Sequence, residues 1–219
     1  MKDHPQRFAI ANETHARPHM PLAAPLTASH RAFVTPEGEY ERDREHLLAL
    51  CDRYGLDHPA PGASHVVLAV EGLRLRWERH TEFTSYTLIG ERAFDTPFEE
   101  ALSARLPAEW WEAIPGELLV AAHVALLDRD RDAPSPELLE RLFAFDTLCA
   151  SSVYDASATV WSDLRLHGDG ASRWLVHDLG LSGGQTGRLV QRLLELETYR
   201  SLALLSLPLA REVGPQVRA

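Results

Sequence analysis

From residue 28 onward the apolar positions switch between a period of two and a period near 3.6, and turn or cap residues mark each switch. Residues 29–34 read as a strand. Thr35-Pro36-Glu37 then carries helix-start chemistry: a hydroxyl to cap, proline at the first helical position and an acid in the first turn. The predicted helix runs to about Tyr54, where Gly55 ends it, and Tyr40, Leu47, Leu48, Cys51 and Tyr54 make its apolar stripe. Three strands follow at 65–70, 73–79 and 82–89, with Glu71-Gly72 turning the first into the second. Asp95-Thr96-Pro97 predicts another helix start, with the helix reaching about residue 104.

The order then recurs. Residues 118–127 read as a strand, and Ser135-Pro136-Glu137 opens a helix with the chemistry of Thr35-Pro36-Glu37. Three strands follow at 147–153, 158–166 and 172–177, the last two joined through a Gly168-Asp169-Gly170 turn. Ser182 caps a long helix over 185–207, ended or kinked by Pro208. The pattern predicts an α+β fold: a mostly antiparallel sheet with helices on one face. It also reads as a cryptic duplication of a β-α-β-β-β-α unit, with halves at 28–106 and 117–207 packed as one compact unit. The alternative is a coincidence of common elements, because residue identity between the halves is low.

Before the first strand lies an arm, residues 1–27, rich in proline and histidine. Pro5, Pro18, Pro21 and Pro25 forbid one long helix, so a short helix over 7–12 followed by extended chain fits best. Phe8, Ile10, Met20 and Leu22 are its candidate anchors. Residues 208–219 form a C-terminal tail.

Charge narrows the functional classes. The net charge of −10 disfavours nucleic acid as a partner, because a phosphate backbone selects basic surface. Cys51 and Cys149 sit far apart in apolar contexts with no export signal before them, so no disulfide is expected. The longest apolar run, 202–210, is interrupted by Ser206 and Pro208 and is too short to span a membrane. A cytoplasmic location is expected.

Four stretches, in chain order, carry a resemblance to one family. They are Asn12-Glu13-Thr14-His15-Ala16-Arg17-Pro18, then Glu78-Arg79-His80-Thr81-Glu82-Phe83, then Trp161-Ser162-Asp163-Leu164-Arg165-Leu166-His167 with Asp169-Gly170. The fourth is the helix 187–200 running on to Leu207-Pro208-Leu209-Ala210-Arg211-Glu212. The chain resembles the bacterial membrane-anchored proteins of the domain of unknown function 3422 family. The resemblance implies longer relatives attached to the inner membrane through a helical C-terminal half, of which this chain would be the soluble N-terminal part or a short anchor-free relative. It implies no reaction.

The most polar conjunction joins Glu13, His15 and Arg17 of the arm with Arg76, Glu78, His80 and Glu82 of the meander. Strand alternation places Arg76, Glu78 and His80 on one face, opposite Leu73, Leu75 and Trp77. One reading is structural: the arm latches onto the sheet through a buried, fully satisfied polar network. The other is a site for an anionic ligand. There His80 serves as general acid or base, Glu82 or Glu78 orients it, and Arg17 and Arg76, with His15 and Glu13 beside them, bind the ligand. His167 is a weaker candidate of the same kind. No metal site is expected, because His15-x3-His19 is broken by Pro18 and neither His-Glu-x-x-His nor Cys-x-x-Cys occurs. The pattern names no cofactor, and it contains neither a phosphate loop nor a Gly-x-Ser-x-Gly elbow.

On the last helix, Arg188, Arg192, Glu195, Glu197 and Arg200 read as surface ion pairs. Leu189, Val190, Leu193, Leu194, Leu196, Leu202, Leu204, Leu205 and Leu207 spread over more than one face. That predicts a second burial partner, either another copy of the chain or the helical membrane-anchoring region, or else a deep core position for the helix. Two functions from different classes follow: a non-enzymatic binding or scaffold module, or a small-molecule enzyme or ligand sensor built on the His/Glu/Arg cluster.

Overall fold

A computed structural model describes residues 3–5, 7–8, 18–36, 38–208 and 211. Eight strands form one sheet: β1 (Leu26–Val34), β2 (His65–Val70), β3 (Leu73–Arg79), β4 (Phe83–Gly90), β5 (Glu117–Leu127), β6 (Cys149–Val153), β7 (Ala158–Ser162) and β8 (Ser172–Asp178). Four helices bounded within the described residues accompany it: α1 (Tyr40–Tyr54), α2 (Ala108–Glu112), α3 (Pro136–Leu142) and α4 (Gly183–Leu204). The strand order is β2-β3-β4-β1-β5-β8-β7-β6, and neighbours are antiparallel except β5 and β8, which are parallel. The fold is therefore α+β with a mostly antiparallel sheet.

The helices are not confined to one face, contrary to expectation. Leu75, Trp77, Tyr86 and Leu88 face one side, where α1 brings Leu47, Leu50 and Cys51 and α2 brings Trp110 and Trp111. α3 covers Ala125, Leu127 and Leu175 on that same side. The opposite alternation, with Ala28, Ala32, Val124, Leu126 and Val176, is covered by Leu189, Val190, Leu193 and Leu194 of α4. The cause lies in the central strands. All eight positions of β4 are buried, and β5 is apolar in both alternations, so each face needs its own cover.

Sheet order is mirrored about the β1·β5 pair, with β4-β3-β2 on one side and β8-β7-β6 on the other. Direction is not mirrored. β4 runs antiparallel to β1, whereas β8 runs parallel to β5. The halves share lateral order without strand direction, and the duplication is not confirmed.

Local backbone explains where elements start and stop differently from the sequence pattern. Gly38, at φ 91°, interrupts the turn after Pro36, so α1 begins at Tyr40, and the Thr35 hydroxyl donates to Thr84 Oγ1 at 3.2 Å instead of capping. Phe98 sits at φ 63° immediately after Pro97, which ends the expected helix there; a 3-10 turn at Leu102–Arg105 and then α2 replace it. β7 stops at Ser162 because Ser162 Oγ and Asp163 Oδ1 accept the backbone N–H groups of Leu164 and Arg165. The two expected caps of the second half hold. Ser135 Oγ accepts from Leu138 N–H at 3.2 Å, and Ser182 with Gln185 forms a capping box. Cys51 is buried and Cys149 exposed, and both are free thiols.

Of the arm, Met20 and Leu22 pack into the core as expected and Leu22 N–H donates to Gly183 O at 3.0 Å, whereas Phe8 is exposed. Most of the helix expected over 7–12, with Ile10, lies outside the described residues. The arm crosses the first turn of α4 so closely that a Cβ at Gly187 would collide with Met20 O. No helix among the described residues is long and apolar enough to cross a membrane.

Candidate functional site

The polar centre lies between the sheet and α4. Strand alternation aims Arg76 and Glu78 of β3 away from the aromatic core that holds Leu75 and Trp77. On the same face β1 contributes His30, and β4 contributes Ser85 and Thr87. The turn after β3 contributes His80. From above, α4 brings Gln191, Glu195 and Thr198, which fall on one helix face through spacings of four and three. Together they line a cavity of about 30 Å³. That holds water and no organic ligand.

The contacts form two connected sets. Arg76 Nη2 donates to Glu78 Oε1 at 2.6 Å and Nη1 to Gln191 Oε1 at 3.2 Å, while Gln191 Nε2 donates to Glu195 Oε1 at 2.7 Å. Arg76 and Glu78 are both buried, so this ion pair has given up most of its hydration. In the second set, His30 Nδ1 lies 2.8 Å from Thr87 Oγ1 and Nε2 lies 3.1 Å from Thr198 Oγ1. Thr198 donates its proton to Leu194 O at 2.9 Å. Its oxygen is thus left to accept from His30 Nε2–H, while Thr87 O–H donates to Nδ1. These roles describe a neutral imidazole. Burial, reinforced by the Arg76 charge, lowers the His30 pKa to about 3.

His80 is buried at the edge of this centre. Its ring stacks on Phe83 with centroids 4.0 Å apart, and the Tyr199 hydroxyl lies 3.5 Å from Nδ1. The structure therefore brings together Arg76, Glu78 and His80 of the residues singled out from sequence. Glu82 is exposed in the turn before β4 and does not line the cavity. Glu13, His15 and Arg17 lie outside the described residues.

Sequence reasoning missed His30, Gln191 and Thr198. A faint signal exists for the last two, since a glutamine and a threonine interrupt the leucine-rich side of α4. His30 carried none, because its partners are 57 and 168 residues away. Glu197, expected in a surface ion pair, is buried; its bond to Arg200 Nη2, at 2.6 Å, runs from the interior to the helix flank.

Two further polar clusters lie outside this centre. Asp163 Oδ1 lies 3.2 Å from His167 Nε2, and Asp163 also accepts from the N–H groups of Ala144 and Arg165. Burial pushes the Asp163 pKa up, but these hydrogen bonds outweigh it and hold it below the usual carboxylate value. His167 thus closes a loop. On the opposite face of the sheet, Ser29 Oγ lies 2.9 Å from His123 Nδ1, and His123 Nε2 lies 3.8 Å from Asp169 Oδ2. That order resembles a hydrolytic triad, yet Ser29 is buried and its oxygen accepts from Leu102 N–H at 2.9 Å, so no substrate reaches it. Burial lowers the His123 pKa; Asp169 opposes the shift, and Arg173 and Arg31 reinforce it. Among the described residues, no three His, Cys, Asp or Glu side chains converge on a point where a metal ion could sit.

No curated protein and no solved structure matches the chain. A family model does, over residues 2–219, and it covers the arm, the polar centre and α4 alike. The chain belongs to the family described as protein of unknown function (DUF3422).

Proposed function

We propose that the chain is a binding module that docks a second helix along the C-terminal end of α4, and that the polar centre clamps α4 to the sheet. The observation that carries this reading is the exposure of Leu196, Leu204, Leu205 and Leu207, between 41% and 54% each. Apolar side chains grouped at one end of a helix mark a surface awaiting a partner. Leu196 and Ala203, both exposed, recur at a spacing of seven, which keeps them on one stripe of the helix. The occupant we assign is α4 of a second copy, packed antiparallel. In longer, membrane-anchored relatives the same helix end would lead toward the anchoring region, with the module on the cytoplasmic side.

The test is light scattering on the wild type and on Leu196→Glu/Leu204→Glu. A dimer that the double substitution converts to a folded monomer is the expected result. A wild type that is monomeric at all concentrations overturns the assignment.

A second reading treats the polar centre as an anion site for an enzyme or sensor, and the convergence of Arg76, Glu78 and His80 favours it. The cavity volume opposes it, because α4 must leave the sheet before any organic anion enters. Melting curves with and without inorganic phosphate decide between the readings. The clamp reading predicts no phosphate-dependent shift. A stabilisation that Arg76→Gln abolishes supports the site.

A further inference from the structure

Arg31 differs from Arg74, Arg76 and Arg173 of the same sheet. It lies mid-strand in β1, opposite Tyr86 of β4 and Ala121 of β5, on the face away from α4. Arg74, Arg76 and Arg173 each hold a carboxylate. The Arg31 side chain makes no hydrogen bond or ion pair with any described residue. Its guanidinium carbon lies 4.5 Å from the centroid of the Trp111 ring. Stacking on an indole holds the guanidinium plane in place and leaves its edge donors unused. Burial lowers the Arg31 pKa, and among the described residues no carboxylate pairs with it to offset that loss of hydration.

The unused edge faces a groove of about 650 Å³. This lies within the range of small-molecule sites, roughly 300–1,000 Å³. Phe33, Leu106, Trp111, Ile114 and Leu118 supply its apolar walls. One fixed cation over an apolar trough is complementary to one negative charge on an apolar body. Glu112, exposed at the rim, sets a limit, because it repels a second negative charge. His123 and Arg173, the nearby basic groups, are already matched by Asp169 and do not compete for the anion.

We infer that the Arg31–Trp111 groove binds an apolar monocarboxylate, its carboxylate on the Arg31 guanidinium edge and its hydrocarbon against Phe33, Ile114 and Leu118. A forked guanidinium meets a carboxylate through two parallel hydrogen bonds, which gives direction as well as attraction. Dianions and nucleotides are disfavoured by Glu112, and a neutral alcohol leaves the cation unmatched. The groove is on the opposite face of the sheet from α4, so this inference stands independently of the docking reading.

The test is titration of the full chain with decanoate and with 1-naphthylacetate, read by calorimetry and by tryptophan fluorescence. Decan-1-ol, decylammonium and decanedioate serve as comparisons. Saturable binding of at least one monocarboxylate is expected, at least tenfold tighter than the alcohol, the amine and the diacid. Arg31→Gln should weaken it at least tenfold. Should that central-strand variant fail to fold, Leu118→Asp places a repelling charge at an exposed wall position and should also weaken binding at least tenfold. Absence of saturable binding by both monocarboxylates overturns the inference. So does equal affinity for decan-1-ol, or binding untouched in a folded Arg31→Gln or in Leu118→Asp.

Discussion

His30 should make the protein sensitive to mild acid. Its folded pKa is about 3, against 6.5 for the unperturbed side chain. A depressed histidine leaves stability intact above pH 6.5, where both folded and unfolded chains carry it neutral. Below 6.5 the unfolded chain takes up a proton that the folded chain refuses, and stability falls until the pH approaches the folded value. The geometry gives the cause: protonating Nδ1 forces Thr87 to surrender its donor role, inside a layer where Thr198 is already committed to Leu194 O. From pH 8 to pH 5 the linkage amounts to about 2 kcal/mol, and the full shift to on the order of 5 kcal/mol. His46 and His123 are lowered by burial as well, so the whole protein's acid response overstates the His30 contribution. The clean measurement is therefore a difference. Urea denaturation of wild type and His30→Gln at pH 8 and pH 5 gives two stability gaps, and glutamine does not titrate. The gap should shift in favour of the variant by about 2 kcal/mol on going to pH 5. A gap that stays constant with pH refutes the reasoning, and an imidazole NMR resonance of His30 titrating near pH 6 would do so directly.

Asp43→Ala should cost about 2–4 kcal/mol in denaturant melts, because it strips the acceptor from Trp77 Nε1–H at 3.0 Å and Tyr86 O–H at 2.6 Å in a fully buried position. Burial raises the Asp43 pKa, so its linkage has the opposite sign to that of His30: the contribution is complete below 3.8 and is lost as pH rises through the folded value. Gly187→Ala should lower stability by about 1–3 kcal/mol and speed proteolytic cutting near Met20, because the added methyl meets Met20 O; unchanged cutting would show that the arm does not hold this position.

Strand existence was legible wherever alternation was clean. β2 and β3 have the expected bounds, and the division of Arg76 and Glu78 from Leu75 and Trp77 follows from period two alone. Helix starts were legible only where no left-handed residue intervened. Ser135-Pro136 and Ser182 open helices, whereas Gly38 and Phe98 defeat the same chemistry at Thr35-Pro36 and Thr96-Pro97. Lateral strand order was not legible, because it is fixed by pairing across the whole chain. β1 lies between β4 and β5, and that position alone carries His30 to Thr87 and Thr198 and lays Arg31 against Trp111. The polar cluster was half visible for the same reason. Its β3 members share one strand, while its β1 and α4 members are brought in by the sheet order.

His30 and Arg31 are consecutive residues of one central strand, so they point to opposite faces. On the α4 face a titratable group is enclosed, bonded at both ring nitrogens and driven to its neutral form. On the other face a permanent cation stands half-buried with its edge unbonded beside a groove. The two environments call for different measurements. A satisfied polar layer fixes the register of helix on sheet, and any loss there registers as instability. A desolvated cation with no carboxylate partner among the described residues lowers stability in the unliganded state, and the proposed ligand would supply the missing charge. Substitutions on the His30 face should therefore be read by melting, and substitutions on the Arg31 face by binding. Arg31→Gln should leave the unliganded protein at least as stable as the wild type while removing its affinity for a monocarboxylate, an outcome that no purely structural role for Arg31 produces.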